Sequence, residues 1–295
     1  HNLAIVASKQ RYPRQGRKTA LGLLGAGQMM FLKTIIAVDE NHDPKDLEAL
    51  LDALNSKVDI ATDLLVLDGM VADSLEAASP YENVHSKLII DATTLAERDP
   101  RSDAGPLEGS YVQPTPEWRQ GKGKAPGFSG LEDVLKLEHV ADARMLRDSI
   151  MVVTTHIENS PTPQDGQSES NDDAEASRRE RISQLRKSIW QLDNLSSLRW
   201  LFITNDDLDL HCEKAHRRLL WQLTSRFDVG RGLTFDEQKQ RLCWDATTPI
   251  PSVEHGVRRW PSITLHSPET LEKVRQHPEL EAYQWPPHLS FGGDE

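Results

Sequence analysis

Cysteine is nearly missing: Cys212 and Cys243 are the two thiols in 295 residues. So few cannot form a disulfide framework, and their scarcity suits a reducing compartment. No apolar run is long enough to cross a bilayer as a helix, so no integral membrane segment is expected. Basic charge is also short. The formal net charge is -12, and no Lys/Arg stripe stands out, which excludes the electrostatic footprint of a nucleic-acid binder. Several chemical signatures are lacking too. There is no His-Glu-x-x-His, no Cys-x-x-Cys and no Gly-x-Ser-x-Gly. His211 and His216 stand five apart and do not share a helical face. No charged stretch followed by an apolar leader opens the chain. It enters the apolar run 3–7 almost at once, which reads as the C-terminal piece of a longer protein.

What is present is alternating α/β character. Residues 3–7 read as a buried strand, 8–16 as a basic loop, and 17–30 as a helix rich in small residues. A β-branched strand at 34–38 ends on Asp39. Asp43-Pro44 then signals a helix start, and Leu47, Leu50, Leu51 and Leu54 form one apolar face. Strands follow at 64–67 and 87–90, with a loop at 68–80 between them. The fourth strand runs into Asp91-Ala92-Thr93-Thr94.

The same order returns later. A strand at 150–155, a helical face through Ile182, Leu185, Ile189 and Leu192, and a strand at 200–204 lead to Asp245-Ala246-Thr247-Thr248. A repeated tetrapeptide is weak by itself, but ordered flanks make a repeat. The fold class expected is α/β: two tandem, diverged three-layer units joined by a Pro/Gly-rich linker. The boundaries expected are 1–96 for the first unit, 97–140 for the linker and 141–265 for the second unit. That second unit should carry a disordered acidic insert at 159–176, and 266–295 should hold a C-terminal helix and tail. The step from Asp59 to Asp91 is longer than that from Asp228 to Asp245. The second unit should therefore lack most of the segment 64–80.

Three constellations invite chemistry. Gly22, Gly25 and Gly27 suggest a dinucleotide turn, but the next strand begins too soon for the helix that such a turn needs. Close packing of a small-residue helix is the better reading. Asp39, Glu40, Asp43 and Asp46 could ligate a hard cation, but they lack the alternating spacing of a calcium loop and read better as a solvated corner. Asp91 and Asp245 close strands, where an Asp more often caps a turn than transfers a proton.

The residues then resemble a known family, the UbiD-type decarboxylases. The resemblance runs through Lys9, Tyr12 and Pro13; the run from Gly25 to Met30; the run from Ile36 to Asp43; Lys57-Val58-Asp59; Ala78-Ser79-Pro80; and the run from Ser86 to Thr93. The second half resembles the same domain again through Leu220-Trp221, the run from Ser225 to Asp228, Asp245-Ala246-Thr247 and Trp260-Pro261. It implies the C-terminal α/β domain of enzymes that use prenylated FMN to remove carboxylate from aromatic or α,β-unsaturated acids, as in ubiquinone and menaquinone biosynthesis. In that family the flavin site, a divalent metal, K+ and the catalytic residues belong to an upstream split-barrel domain, so none of those residues carries over here. The resemblance implies an oligomerisation and pocket-closing role, partnership with the upstream domain, a homo-oligomer, and a cytoplasmic place that leaves peripheral membrane association open. It points to Gly69, Met70, Val71, Ala72, Asp73 and Leu75 as a substrate-pocket loop. Leu95 and Pro249 depart from the basic residue that the family carries after the Asp-Ala-Thr stretch. The alternatives are a non-catalytic assembly protein on the same scaffold and a nicotinamide-dependent oxidoreductase.

Overall fold

A computed structural model describes residues 2–95, 130–157, 168–212, 215–238, 240–259 and 267–277. The chain divides into His1–Trp260, which holds both sheets, and Pro261–Glu295. Most of the expected linker, and positions 159–167 of the expected acidic insert, lie outside the described residues.

The first lobe contains β1 (Leu3–Ser8), α1 (Gln15–Leu24), β2 (Thr34–Asp39), α2 (Leu47–Lys57), α3 (Ile60–Asp63), β3 (Leu64–Val71) and β4 (Val84–Asp91). Its sheet has the order β1-β2-β4-β3, with β3 antiparallel to β4 and the other pairs parallel. The second lobe contains α4 (Leu131–Val134), β5 (Val140–Arg147), β6 (Ile150–Thr155), α5 (Ser168–Trp190), β7 (Trp200–Asn205), α6 (Ala215–Ser225), α7 (Val229–Gly232), β8 (Leu233–Phe235) and β9 (Leu242–Asp245). Its sheet has the order β5-β6-β7-β9-β8. Without β5, which joins antiparallel at one edge, the pattern of directions is that of the first sheet.

Period-two alternation sorts the strand residues to two faces. Ile35 and Ile89 pack with Ala20 of α1 on the outer face of the first sheet. Ile36, Val38, Leu88 and Ile90 face inward to Leu50 and Leu54 of α2. That same cluster continues through Leu219 and Leu223 of α6 to Ile150, Val152, Trp200, Phe202 and Trp244 of the second sheet. Met151, Val153, Leu201 and Ile203 face the other way, onto Ile182, Leu185 and Ile189 of α5. The order of layers is thus α1, sheet, α2 with α6, sheet, α5. In the middle layer Phe227 and Trp244 lie 4.2 Å apart between ring centroids, and Phe202 and Trp244 5.9 Å.

The lobes meet through reciprocal contacts. Asn2, just before β1, donates from Nδ2 to the Thr224 carbonyl near the end of α6, at 3.3 Å. Ser149, just before β6, donates from N and Oγ to Asn55 Oδ1 near the end of α2, at 3.1 and 2.7 Å. Arg199 reaches the Val58 carbonyl at 2.9 Å and also the Asn55 carbonyl. Arg147 clasps α2 through Glu48, at 2.8 Å, and Asp52. Each lobe thus lays the start of its sheet on the helix of the other.

Several elements differ from the sequence expectations. The helix expected at 17–30 stops at Leu24, and a 3-10 turn covers Gly27–Phe31. Helix α2 is capped by Asp46, whose side chain accepts from Ala49 N, while Asp43 accepts from Lys45 N in the preceding turn. Pro44 therefore lies in that turn. Residues 168–176, expected inside a disordered insert, are the first turns of α5. Glu175 is fully buried there against Arg178 and the Ile250 amide, partners that composition alone does not display. The second lobe also has a short strand, the three-residue β8, antiparallel to β9 as β3 is to β4. In Pro261–Glu295, α8 (Pro268–Arg275) starts on Ser267, which accepts from Thr270 N.

Candidate functional site

The repeated Asp-Ala-Thr-Thr runs turn out to be a way of ending a strand. Asp91 Oδ1 accepts from Thr93 Oγ1 at 2.5 Å, and Asp245 Oδ1 accepts from Thr247 Oγ1 and N at 2.6 and 2.9 Å. The next Thr then ties to the neighbouring parallel strand. Thr94 N donates to Asp39 Oδ1 and Thr248 N to Asn205 Oδ1, both at 2.8 Å. These are self-capping turns. Asp39 is further engaged by Lys57 at 2.5 Å, and its carboxyl is held below the usual range by Lys57 and Thr94 against the pull of burial. Glu40 pairs with Lys9 at 3.3 Å, so the acidic corner is spent on local contacts. Among the described residues no group of three or more His, Cys, Asp or Glu side chains gathers as a metal site.

The glycine run sits at the wrong end of a helix for a cofactor. Gly25 caps the C-terminus of α1, and Gly27 has φ +46° beyond it. A pyrophosphate site needs such a turn at a helix N-terminus. Nor do these glycines serve close packing, since a Cβ added at Gly22 would meet nothing within 4 Å. The tight approach is at Gly16, where a Cβ would come within 2.6 Å of Asp91 Oδ1.

The residues expected as a substrate-pocket loop fall in the β3–β4 hairpin. Gly69, Met70 and Val71 lie on β3 rather than in a loop, because the strand continues past a register shift between Leu67 and Met70. Gly69, at φ +65°, supplies the left-handed residue that such an irregularity favours. Met70 pairs with His85, and Val71 with Val84. Ala72 is buried and donates from N to the Asn83 carbonyl at 2.8 Å. Asp73 accepts from Leu75 N at 3.0 Å, and Leu75 itself is 88% exposed. The six residues therefore lie along one hairpin segment, with Leu75 in solvent.

Beneath the tip lies a buried ionic hub. Lys33 and Glu76, each almost without solvent access, pair at 3.1 Å. Lys87 donates to the carbonyls of Met30 and Leu32 at 2.8 and 2.7 Å and contacts His85 Nε2 at 2.9 Å. Arg231 of α7 donates to the Ala78 carbonyl at 3.2 Å, bringing the second lobe into the hub. Desolvation dominates its electrostatics. It pushes Lys87 down to about 8 and, with the cations Lys87 and Lys33, His85 down to about 3. Burial also lowers Lys33 against the pull of Glu76, and raises Asp228 against the cations Arg231 and Lys33. A lysine poised near 8 can act as a nucleophile elsewhere. Here the Lys87 side chain is 1% exposed and engaged with three acceptors, so it fastens the hairpin instead. The sequence reading singled out the tip and passed over Lys33, His85 and Lys87. The available signal was a lysine immediately before each of two adjacent parallel strand segments, those starting at Thr34 and Leu88.

Residues 1–92 match the family model described as the 3-octaprenyl-4-hydroxybenzoate carboxy-lyase C-terminal domain. These residues are thus similar to the UbiD C-terminal domain. The chain is 37% identical over 93 residues to an uncharacterized protein of Archaeoglobus fulgidus, covering 32% of this chain and 19% of that one. It is 37% identical over 113 residues to a phenolic acid decarboxylase of Escherichia coli O157:H7, covering 38% and 22%. The chain thus spans about a fifth of the length of these curated relatives. Among solved structures, vanillic acid decarboxylase of Sedimentibacter hydroxybenzoicus in open form overlaps at 30% identity, TM-score 0.33, covering 36% of this chain and 23% of that one. The apo 3,4-dihydroxybenzoic acid decarboxylase of Enterobacter cloacae overlaps at 26% identity, TM-score 0.31, covering 39% and 25%.

Proposed function

We propose that this chain is the C-terminal assembly and pocket-closing region of a UbiD-like carboxy-lyase acting on an aromatic or α,β-unsaturated acid of the kind decarboxylated in ubiquinone and menaquinone biosynthesis. The observation that carries the reading is the hairpin of the matched domain. Its apolar tip is exposed, while its base is fastened by the Lys33–Glu76 and Lys87–His85 contacts. That combination suits a segment which reaches across to a pocket built by another domain. Prenylated FMN, a divalent metal and K+ belong, in this reading, to the upstream domain. The described residues do not fit them: the carboxylates are committed to local contacts and the glycine turn caps a helix C-terminus.

The second lobe is read as a diverged tandem copy of the first. Support comes from the reciprocal Asn2–Thr224 and Ser149–Asn55 contacts, which are the pattern of an isologous pair. The copy then stands where a second subunit's domain would stand, and its role is scaffold. Any homo-oligomer of whole chains would use surfaces other than the α2 face. The test is to express the complete reading frame, measure bound flavin by absorbance, and replace Leu75 or Met70 with Trp. In the whole enzyme each change is expected to shift the ratio of kcat/KM between a compact and a bulky acid by about tenfold, a difference of about 1.4 kcal/mol. An unchanged ratio in a flavin-loaded, folded enzyme removes the pocket role.

A further inference from the structure

A groove of about 600 Å³ lies outside the hairpin tip and the hub, with Pro80 and Tyr81 of the first lobe on one side and Val253, Arg258 and Arg259 on the other. Two features separate it from ordinary surface. First, its exposed apolar residues stand on fastened turns. Tyr81 is 68% exposed, yet it sits in an isolated bridge to Val84 beside Asn83, whose φ is +61°. Val253 is 88% exposed, yet its turn is closed by paired Ser252 and Val257 amide bonds at 2.9 and 2.8 Å, with Gly256 at φ +61°. Asp172 of α5 accepts from Ser252 Oγ and from Glu254 N, and Arg179 donates to the His255 carbonyl at 3.1 Å. Solitary apolar side chains on mobile loops need no explanation, whereas pairs held rigidly around a concavity point to a partner. Second, Arg258 and Arg259 are exposed and make no ion pair among the described residues, in a chain of net charge -12. The nearby Glu82 and Glu254 do not form its walls.

We propose that this groove binds an extended acidic peptide segment. A carboxylate lies against Arg258 and Arg259, and an adjoining apolar side chain lies between Tyr81 and Val253. Charge complementarity selects the acid, since free guanidinium groups recognise carboxylates through paired donors. Openness selects the peptide over a compact ligand. Small-molecule sites bury roughly 70–90% of their ligand, and walls as exposed as Tyr81 and Val253 cannot do so. The proposal is independent of the decarboxylase reading, because it uses neither the hairpin tip nor any reaction.

The test is fluorescence anisotropy on the 295-residue chain with a labelled octapeptide alternating Glu and Leu, beside the same peptide with Lys in place of Glu. The acidic peptide is expected to saturate with a Kd on the order of 100 μM. The double variant R258A/R259A, and separately Tyr81→Ala, should weaken it by about tenfold, while circular dichroism confirms unchanged folding. No saturation by about 1 mM, equal binding of the Lys peptide, or unchanged affinity in the variants overturns the proposal. So does binding of phosphatidylserine-containing vesicles without peptide binding, which would assign the arginines to a membrane surface.

Discussion

His85 carries a consequence that a pH titration can read. Its folded value is about 3 against an ordinary 6.5, so between those limits the unfolded chain binds a proton that the folded chain refuses. Stability therefore rises with pH through this window and is lost as pH falls from 6.5 towards 3. The full span is worth on the order of 5 kcal/mol. Urea unfolding between pH 7 and pH 4.5 should show the wild type losing stability more steeply than His85→Met; parallel slopes would contradict the assignment. A second residue-scale expectation concerns glycine. Gly16→Ala forces a Cβ to within 2.6 Å of Asp91 Oδ1 and 3.2 Å of Ala37 Cβ, and should cost about 1–3 kcal/mol. Gly22→Ala, in the same helix with open space around it, should stabilise by about 0.5–1 kcal/mol. Paired thermal melts would show opposite signs.

At the scale of elements, most strands were legible because β-branched runs and turn residues mark them. Residues 34–38, 150–155 and 200–204 fall on β2, β6 and β7 within a residue. What escaped the sequence depended on partners far along the chain. Strand β5 has burial of mixed character and exists by pairing with β6. The first turns of α5 look like solvated acid until Glu175 meets Arg178, Arg179 and the Ile250 amide. Strand β3 runs past Leu67 only because β4 receives it after a register shift. The tip of the candidate site was singled out only as what the resemblance implies. The hub could not, since a buried Lys33–Glu76 pair is a tertiary fact. The seam between lobes is equally non-local. Arg199→Ala leaves the carbonyls of Asn55 and Val58 without their donor, and should cost about 2–4 kcal/mol in chemical denaturation. A loss below about 0.5 kcal/mol would show that the seam is incidental.

For the whole molecule, the middle layer makes the lobes interdependent. Leu47, Leu50, Leu51 and Leu54 of α2 share one apolar cluster with Trp200, Phe202, Leu219 and Trp244. Residues 1–95 produced alone would present that face to water, a patch that monomeric proteins rarely tolerate. Such a fragment is expected to elute in size exclusion as a dimer or larger, and to return to a single complex when the remaining residues are supplied in trans. A well-behaved monomer would mean that the α2 face needs no cover.

The unequal lengths of β3 and β8 give the pair a direction. β3 spans eight residues and leads to an exposed tip on a fastened base, while β8 spans three. Two identical copies would offer two equal ends, and an outside domain could dock at either. Here one end offers a long arm and the other a stub. Docking that depends on the arm would therefore occur once per chain, with a stoichiometry set by covalent linkage and indifferent to dilution.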